Sequence, residues 1–370
     1  AEKYSAQPGF AEAFLPGGRA PAPGEIFTNK PLARTLEAIA ASEGKAFYEG
    51  ALAEMMTRHA AQCGGVLTMA DLAEHRADWT PPLAQEFAGL TVHELPPNGQ
   101  GIATLMALGI LAHLGVERYP VDSVEAFHLQ IEAMKVAFAD VEAFIGDPAA
   151  MEVDPRALLR ADYLASRAAL IDPQRAGDFG AGAPRNGGTV YLTAADASGM
   201  MVSYIQSNYE GFGSGVVVPG TGISLQNSGF GFSLKAGHPN EVGPRKRPFH
   251  TIIPGFATRA GKPLMSFGVM GGPMQAQGHV QLVLRTEIFG QNPQTASDAP
   301  RWRVVEGRKV ALESAVSEAV VQGLTARGHQ IHLEPPDAAF AFGGAQLICR
   351  LDGAYVAGSD HRKDGAAIGF

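Results

Sequence analysis

A threonine is the residue best placed to do chemistry. In the run RNGGTVYLTAADASGMMVSYIQSNYEGFGSG, which begins at Arg185, Thr189 follows Gly187 and Gly188 and opens a stretch of apolar, β-branched and aromatic residues. A hydroxyl is a poor nucleophile without a base beside it. One compact base is the α-amine of the same residue, available only where that residue is a chain terminus. Scission between Gly188 and Thr189 would supply it, and glycine suits the strained backbone such a cut requires. The plain alternative is a threonine that opens a strand, and on the residues alone both readings stand.

Other chemistries find less support. GFGSG and GTG do not match a dinucleotide fingerprint opening a helix, and no Gly-x-x-x-x-Gly-Lys-Ser/Thr loop occurs. No Gly-x-Ser-x-Gly elbow is present. Neither Cys-x-x-Cys nor His-Glu-x-x-His offers a metal cage, so we expect no metal and no cofactor. Cys63 and Cys349 are expected to be small buried apolar side chains. A formal charge of −8 with scattered basic residues gives no footprint for nucleic acid or an anionic membrane surface. No apolar run reaches the ~20 residues needed to span a bilayer, and the opening AEKYSAQPGF is unlike a signal peptide. A cytoplasmic location is the expectation, with a periplasmic or secreted one left open because a signal peptide would lie ahead of Ala1.

The elements that must position Thr189 follow from periodicity. Residues 31 to 171 read as helices around one short strand: Asn29 and Pro31 start a helix, Thr68 and Asp71 suggest a capping box, AGLTVHELPPNGQG is a strand running into a proline and glycine turn, and IATLMALGILAHLG has helical spacing. From Ser123, the spacing of Phe127, Ile131, Met134, Phe138 and Val141 predicts the longest amphipathic helix. Asp154 and Pro155 start another. RAGDFGAGAPRNGG, residues 175 to 188, has a linker's composition. Beyond it the period becomes two: 189–195 and 200–207 form a hairpin through DASG, and HTIIPGFAT with PLMSFGVM forms a second. A helix is expected at QAQGHVQLVLRTEIFG and near 314–327, with strands at KVALE, QIHLE, AQLICRL and AYVAGS.

The run from Gly187 through SLQNSGFGF, followed by KRPFHTIIP, GVMGGPMQAQGH and ASDAPRW, resembles the gamma-glutamyltranspeptidase family of self-cleaving N-terminal-nucleophile hydrolases. PGFAEAFLPGGRAP, LARTLEAIA, DLAEH, PPNGQG and EAMKVAFADVEAFIGDP extend the likeness backward over nearly all 370 residues. The resemblance implies an α/β (α+β) fold, a four-layer αββα sandwich of two stacked, mainly antiparallel sheets. It implies one integrated domain, with 1–188 as the C-terminal part of the large subunit and 189–370 as the small subunit after cleavage at Gly188/Thr189. Thr189 matches the nucleophile, Ser207 the hydroxyl that orients it, and Gly271 and Gly272 the oxyanion pair. The partners implied are a small-molecule amide and the two chains of one precursor, and a homodimer of that pair is allowed.

The glutamate-binding pattern departs. Tyr209 stands where the family has asparagine, Gly231 where it has the acid for the α-ammonium, His250 and Thr251 where it has two serines, and Ser228 where it has Gln or Glu. Family proenzymes also carry a segment, with early strands, ahead of the position matching Ala1. Either that segment is missing from this chain, or the protein is shortened and its sheet is completed otherwise. The expected function is hydrolysis or transfer of a γ-glutamyl amide such as glutathione. The alternatives are an acylase for another small acyl amide and a non-catalytic homologue.

Overall fold

The computed structural model describes residues 3–180 and 189–370. Gly188, half of the expected cleavage site, and the end of the linker lie outside the described residues. The chain divides into two compact units, Ala1–Trp79 with Asn208–Asn227, and Thr80–Ser207 with Ser228–Phe370. This division is distinct from the covalent one expected after Gly188.

In the first unit, Asn29 caps the Lys30–Ala41 helix by accepting from the Leu32 N–H at 3.1 Å, and Thr68 and Asp71 form the reciprocal capping box. Tyr4, Phe10, Phe14 and Phe212 pack ring against ring, and the Thr35 hydroxyl donates to Thr221 O at 2.8 Å. Cys63 corrects an expectation: it follows the Ala51–Gln62 helix as its C-terminal cap, where the chain leaves the packed face, and it is exposed. Cys349 is half-buried, and burial pushes its thiol up to about 12.

The strands are β1 (Leu83–Phe87), β2 (Leu90–Glu94), β3 (Thr189–Ala195), β4 (Met201–Ser207), β5 (Val217–Val218), β6 (Ile223–Ser224), β7 (Gly255–Arg259), β8 (Lys262–Met270), β9 (Trp302–Glu306), β10 (Lys309–Glu313), β11 (Gln330–Glu334), β12 (Gly344–Leu351) and β13 (Ala354–Ser359). All but β5 and β6 belong to the second unit. An antiparallel sheet there runs β1-β2-β7-β8-β12-β13, beside a smaller sheet β11-β10-β9. The second expected hairpin begins at Gly255, because His250–Pro254 run irregularly. β1, β9 and a helix at Pro293–Asp298 were not evident from periodicity.

Alternation along β8 builds the layers. Met265, Phe267 and Val269 are fully buried. Gly278 of the Met274–Val283 helix lets Val269 approach so closely that an added Cβ would lie 2.8 Å from its methyls. The opposite face presents Ser266, Gly268 and Met270 to the β3–β4 hairpin. The Thr193 hydroxyl meets that of Ser266, and the Tyr191 ring fills the space a side chain at Gly268 would take. Val190, Leu192, Val202 and Tyr204, on the other face of the hairpin, are exposed. Among the described residues no helix is long and apolar enough to cross a membrane.

The long helix, Val124–Phe144, is not amphipathic, because polar as well as apolar positions are enclosed. His128, Glu132, Lys135 and Asp140 are all buried. The Lys135 ammonium lies 2.5 Å from Glu132 Oε1 and donates to Gly177 O at 2.7 Å, while the Gly177 N–H donates to Glu132 Oε2 at 2.9 Å. One buried ion pair thus grips both polar groups of one residue upstream of the expected junction. Removing one partner of such a pair strands a charge. Lys135→Met is expected to lower stability by about 3–5 kcal/mol in urea unfolding at neutral pH. The loss should shrink as pH falls, since burial raises the Glu132 carboxyl and its protonated form needs no counter-charge. Glu132→Gln/Lys135→Met should recover most of the loss.

Candidate active site

The hairpin register sets Thr189 directly opposite Ser207, and the Thr189 hydroxyl donates to Ser207 Oγ at 3.1 Å. Thr189 is 5% exposed. Tyr191 lies over Gly268 and Thr193 over Ser266, so the same two-residue step sets Thr189 over Met270, the residue before the glycine pair.

Gly271 and Gly272 have φ of 128° and 61°, a backbone that side chains disfavour. A Cβ at Gly271 would also lie 2.9 Å from Gly343 Cα. The Gly271 carbonyl accepts from the Met274 N–H at 3.2 Å, turning it into the helix that follows. Because the peptide is planar and trans, the Gly272 N–H on the same peptide points the opposite way. Backbone donors so oriented can stabilise a developing oxyanion.

Gln100 fixes this turn, a role that PPNGQG does not disclose as a sequence. It is buried, and its Nε2 donates to Gly272 O at 2.9 Å and to Thr251 O at 2.5 Å, joining the glycine turn to the His250–Thr251 loop. The roles of Glu94 and His279 are likewise undisclosed. The Val269 N–H donates to His279 Nε2 at 3.2 Å, which puts the ring proton on Nδ1, and Nδ1 donates to Glu94 Oε1 at 2.6 Å. Burial pushes the Glu94 carboxyl above its ordinary range against the pull of His279. Polar residues enclosed on all sides leave no period in a sequence; the flanking glycines of Gln100 were the only signal.

The expected substrate contacts divide. Ser228, Gly231, His250 and Thr251 lie in the second unit with Thr189 and the glycine pair, whereas Tyr209 belongs to the first. Tyr209 is buried and has left-handed backbone at φ 77°. Ser228 is buried in a short 3₁₀ turn ending at Gly231. A Cβ at Gly231 would lie 2.6 Å from Phe249 O, and Asn240 ties the two loops by donating to Gly231 O at 2.7 Å and accepting from the Phe249 N–H at 2.8 Å. His250 Nδ1 accepts from the Ile252 N–H at 3.3 Å, leaving Nε2 as a donor, and burial lowers its pKa so that the ring is neutral at pH 7. Gln100, Gly231 and Phe249 border a cavity of about 990 Å3 whose wall also includes Phe138, Phe179 and Phe232.

One buried trio could in principle hold a metal: His128, Glu132 and His329 bring ligand atoms within 4.8 Å of one another. The residues do not fit that role, because Lys135 already supplies the cation. The two rings bond to each other at 2.8 Å, and His128 Nε2 donates to Asp172 O at 2.8 Å. Burial brings His329 down to about 3, with Lys135, His128 and Arg327 pushing the same way.

The family model described as Gamma-glutamyltranspeptidase matches residues 1–370. The Glutathione hydrolase-like YwrD proenzyme of Bacillus subtilis is 35% identical over all of this chain and 71% of its own length. The Oxamate amidohydrolase proenzyme of Klebsiella pneumoniae is 37% identical over all of this chain and 70% of its own. Among solved structures, cephalosporin acylase from Bacillus halodurans superposes with a TM-score of 0.90 at 44% identity, over 96% of this chain and 65% of that one. The chain therefore spans about two thirds of the relatives it matches, and its fold is that of the N-terminal-nucleophile hydrolases.

Gln100→Ala is expected to cost about 1–3 kcal/mol by leaving buried carbonyls short of a donor. Gln100→Glu should cost more at neutral pH, since a carboxylate would face two carbonyl oxygens, and less at low pH, where its protonated form can donate. Urea midpoints at pH 5 and pH 8 measure both.

Proposed function

The chain belongs to the gamma-glutamyltranspeptidase family, and from that premise we propose that it is an amidohydrolase whose nucleophile is Thr189, freed by self-cleavage after Gly188. The observation that carries this reading is the Thr189 hydroxyl, held by Ser207 and set over the end of the strand that leads into Gly271 and Gly272.

In maturation the Thr189 oxygen attacks the Gly188 carbonyl, and the C–N bond breaks as the acyl group moves to oxygen. Water then hydrolyses the ester, leaving a Gly188 carboxylate and a Thr189 amine. In turnover that amine takes the hydroxyl proton as the oxygen attacks the substrate carbonyl. The N–H groups of the glycine turn stabilise the oxyanion. The leaving amine departs with the proton, and water or an amine acceptor releases the acyl group from Thr189.

For the substrate we favour a small acyl amide other than γ-glutamyl. Gly231 has no room for the acid that would meet an α-ammonium, because its backbone is pressed against Phe249 O. An unpaired ammonium in such a site would cost several kcal/mol. The γ-glutamyl reading is kept as the second, supported by the relatives named for glutathione hydrolysis. The protein would act as two associated chains of one precursor.

Intact mass is the test of the mechanism. The parent protein should appear as two fragments divided before Thr189, and Thr189→Ala as one uncut chain. Ser207→Ala should cleave about 10- to 100-fold more slowly, for loss of one orienting hydrogen bond. An uncut parent chain would overturn the proposal. Comparison of γ-glutamyl 4-nitroanilide with simple acyl anilides then chooses between the two substrate readings.

A further inference from the structure

At the end of β8 that leads into the glycine turn lies a cation that the proposed catalytic steps do not use. Gly344 pairs with Met270 across β12 and β8, so both point to the face that carries the hairpin. Gly344 has no side chain, and the stem of Lys363 fills the vacated space, with Cε 2.8 Å from where a Cβ would stand. Thr189 stands over Met270 in that same layer. Lys363 therefore lies one strand away from the nucleophile, at the strand end that leads into the oxyanion turn.

The surrounding charges leave Lys363 over. The Arg301 guanidinium donates to Asp360 Oδ2 at 2.7 Å. Arg362 donates to Asp360 Oδ1 at 3.2 Å and to both Glu313 oxygens, at 2.6 and 2.5 Å. Those two guanidiniums and two carboxylates close on one another. Lys363 is the third cation, with no carboxylate ion-paired to it among the described residues. Among the described residues its ammonium meets the Phe340 ring, 2.8 Å from the centroid, and Phe340 O at 3.4 Å.

We propose that Lys363 is a specificity-determining residue that binds a carboxylate on the acyl half of the substrate. The oxyanion donors fix the acyl carbonyl, and Lys363 shares their end of the sheet, so the group it meets lies on the carbonyl's side of the scissile bond. The substrate class is then a monoamide of a short dicarboxylic acid. This inference rests on Thr189 being the nucleophile. Burial brings the Lys363 ammonium down to about 8, with Arg301 and Arg362 pushing the same way and Asp360 against. It is thus mostly charged at pH 7, and binding through it is lost as pH rises through 8.

The experiment compares succinyl and glutaryl 4-nitroanilides with their methyl esters as substrates of the self-cleaved protein. Lys363→Met should lower kcat/KM about 10- to 100-fold on at least one acid, the range for losing a hydrogen bond to a charged group. It should change the esters less than twofold, and Lys363→Arg should restore most of the loss. In the parent protein the acid-to-ester ratio of kcat/KM should fall above pH 8, a ratio in which titration of the Thr189 amine cancels. Equal losses on acid and ester, a ratio flat with pH, or no turnover of any of these anilides by fully cleaved protein would each overturn the inference. Failure of the catalytic reading shows separately, as an uncut parent chain. Normal cleavage of Lys363→Met, read by mass, certifies its fold.

Discussion

The contact of the Tyr191 ring with Gly268 governs the site. Two sheets ordinarily pack about 10 Å apart, separated by side chains from both. At Gly268 one side contributes nothing, so a full aromatic ring lies against the strand while the hydroxyls of Thr193 and Ser266 meet one step further on. That contact fixes the register of hairpin against sheet. Any residue larger than glycine would lift the hairpin from β8 and carry Thr189 away from the turn that could stabilise its oxyanion.

Around this contact the molecule uses buried polar groups as fasteners. Gln100 joins the glycine turn to the His250 loop, Asn240 joins Gly231 to Phe249, and His279 joins β8 to Glu94 on β2. Each donor in a low-dielectric interior is worth most when every partner is met. The acceptor side of the Gly271–Gly272 turn is thereby occupied from within, which leaves its opposite, donor side for the chemistry proposed for it.

Legibility in the sequence followed the physics of exposure. The β3–β4 hairpin was readable because its two faces differ and Asp196–Gly199 makes a turn with an evident mechanism; the Asp196 side chain accepts from the Ser198 and Met200 N–H groups. The glycine pair was readable from motif resemblance, although only the structure gives the reason, a φ of 128° pressed against Gly343. The long helix misled because buried Glu132 and Lys135 look, in one dimension, like a solvated face. Gln100, Glu94 and His279 were hidden for the same reason. Lys363 depends on long-range pairing, since a lysine acquires meaning only when β12 brings Gly344 beside Met270.

If the chain is cut after Gly188 as proposed, the grip of Glu132 and Lys135 on Gly177 bears on the reversibility of that cut. Ten residues separate Gly177 from Gly188, eleven Cα-to-Cα steps (188 − 177 = 11), a span that can reach at most about 40 Å whatever path it takes. A new carboxyl end confined within that radius stays at an effective concentration in the millimolar range. Dilution therefore does little to drive scission forward. The hydration and ionisation of the two new termini must supply most of that drive, and a clamp that holds the product end close would make the last step before maturity sensitive to pH.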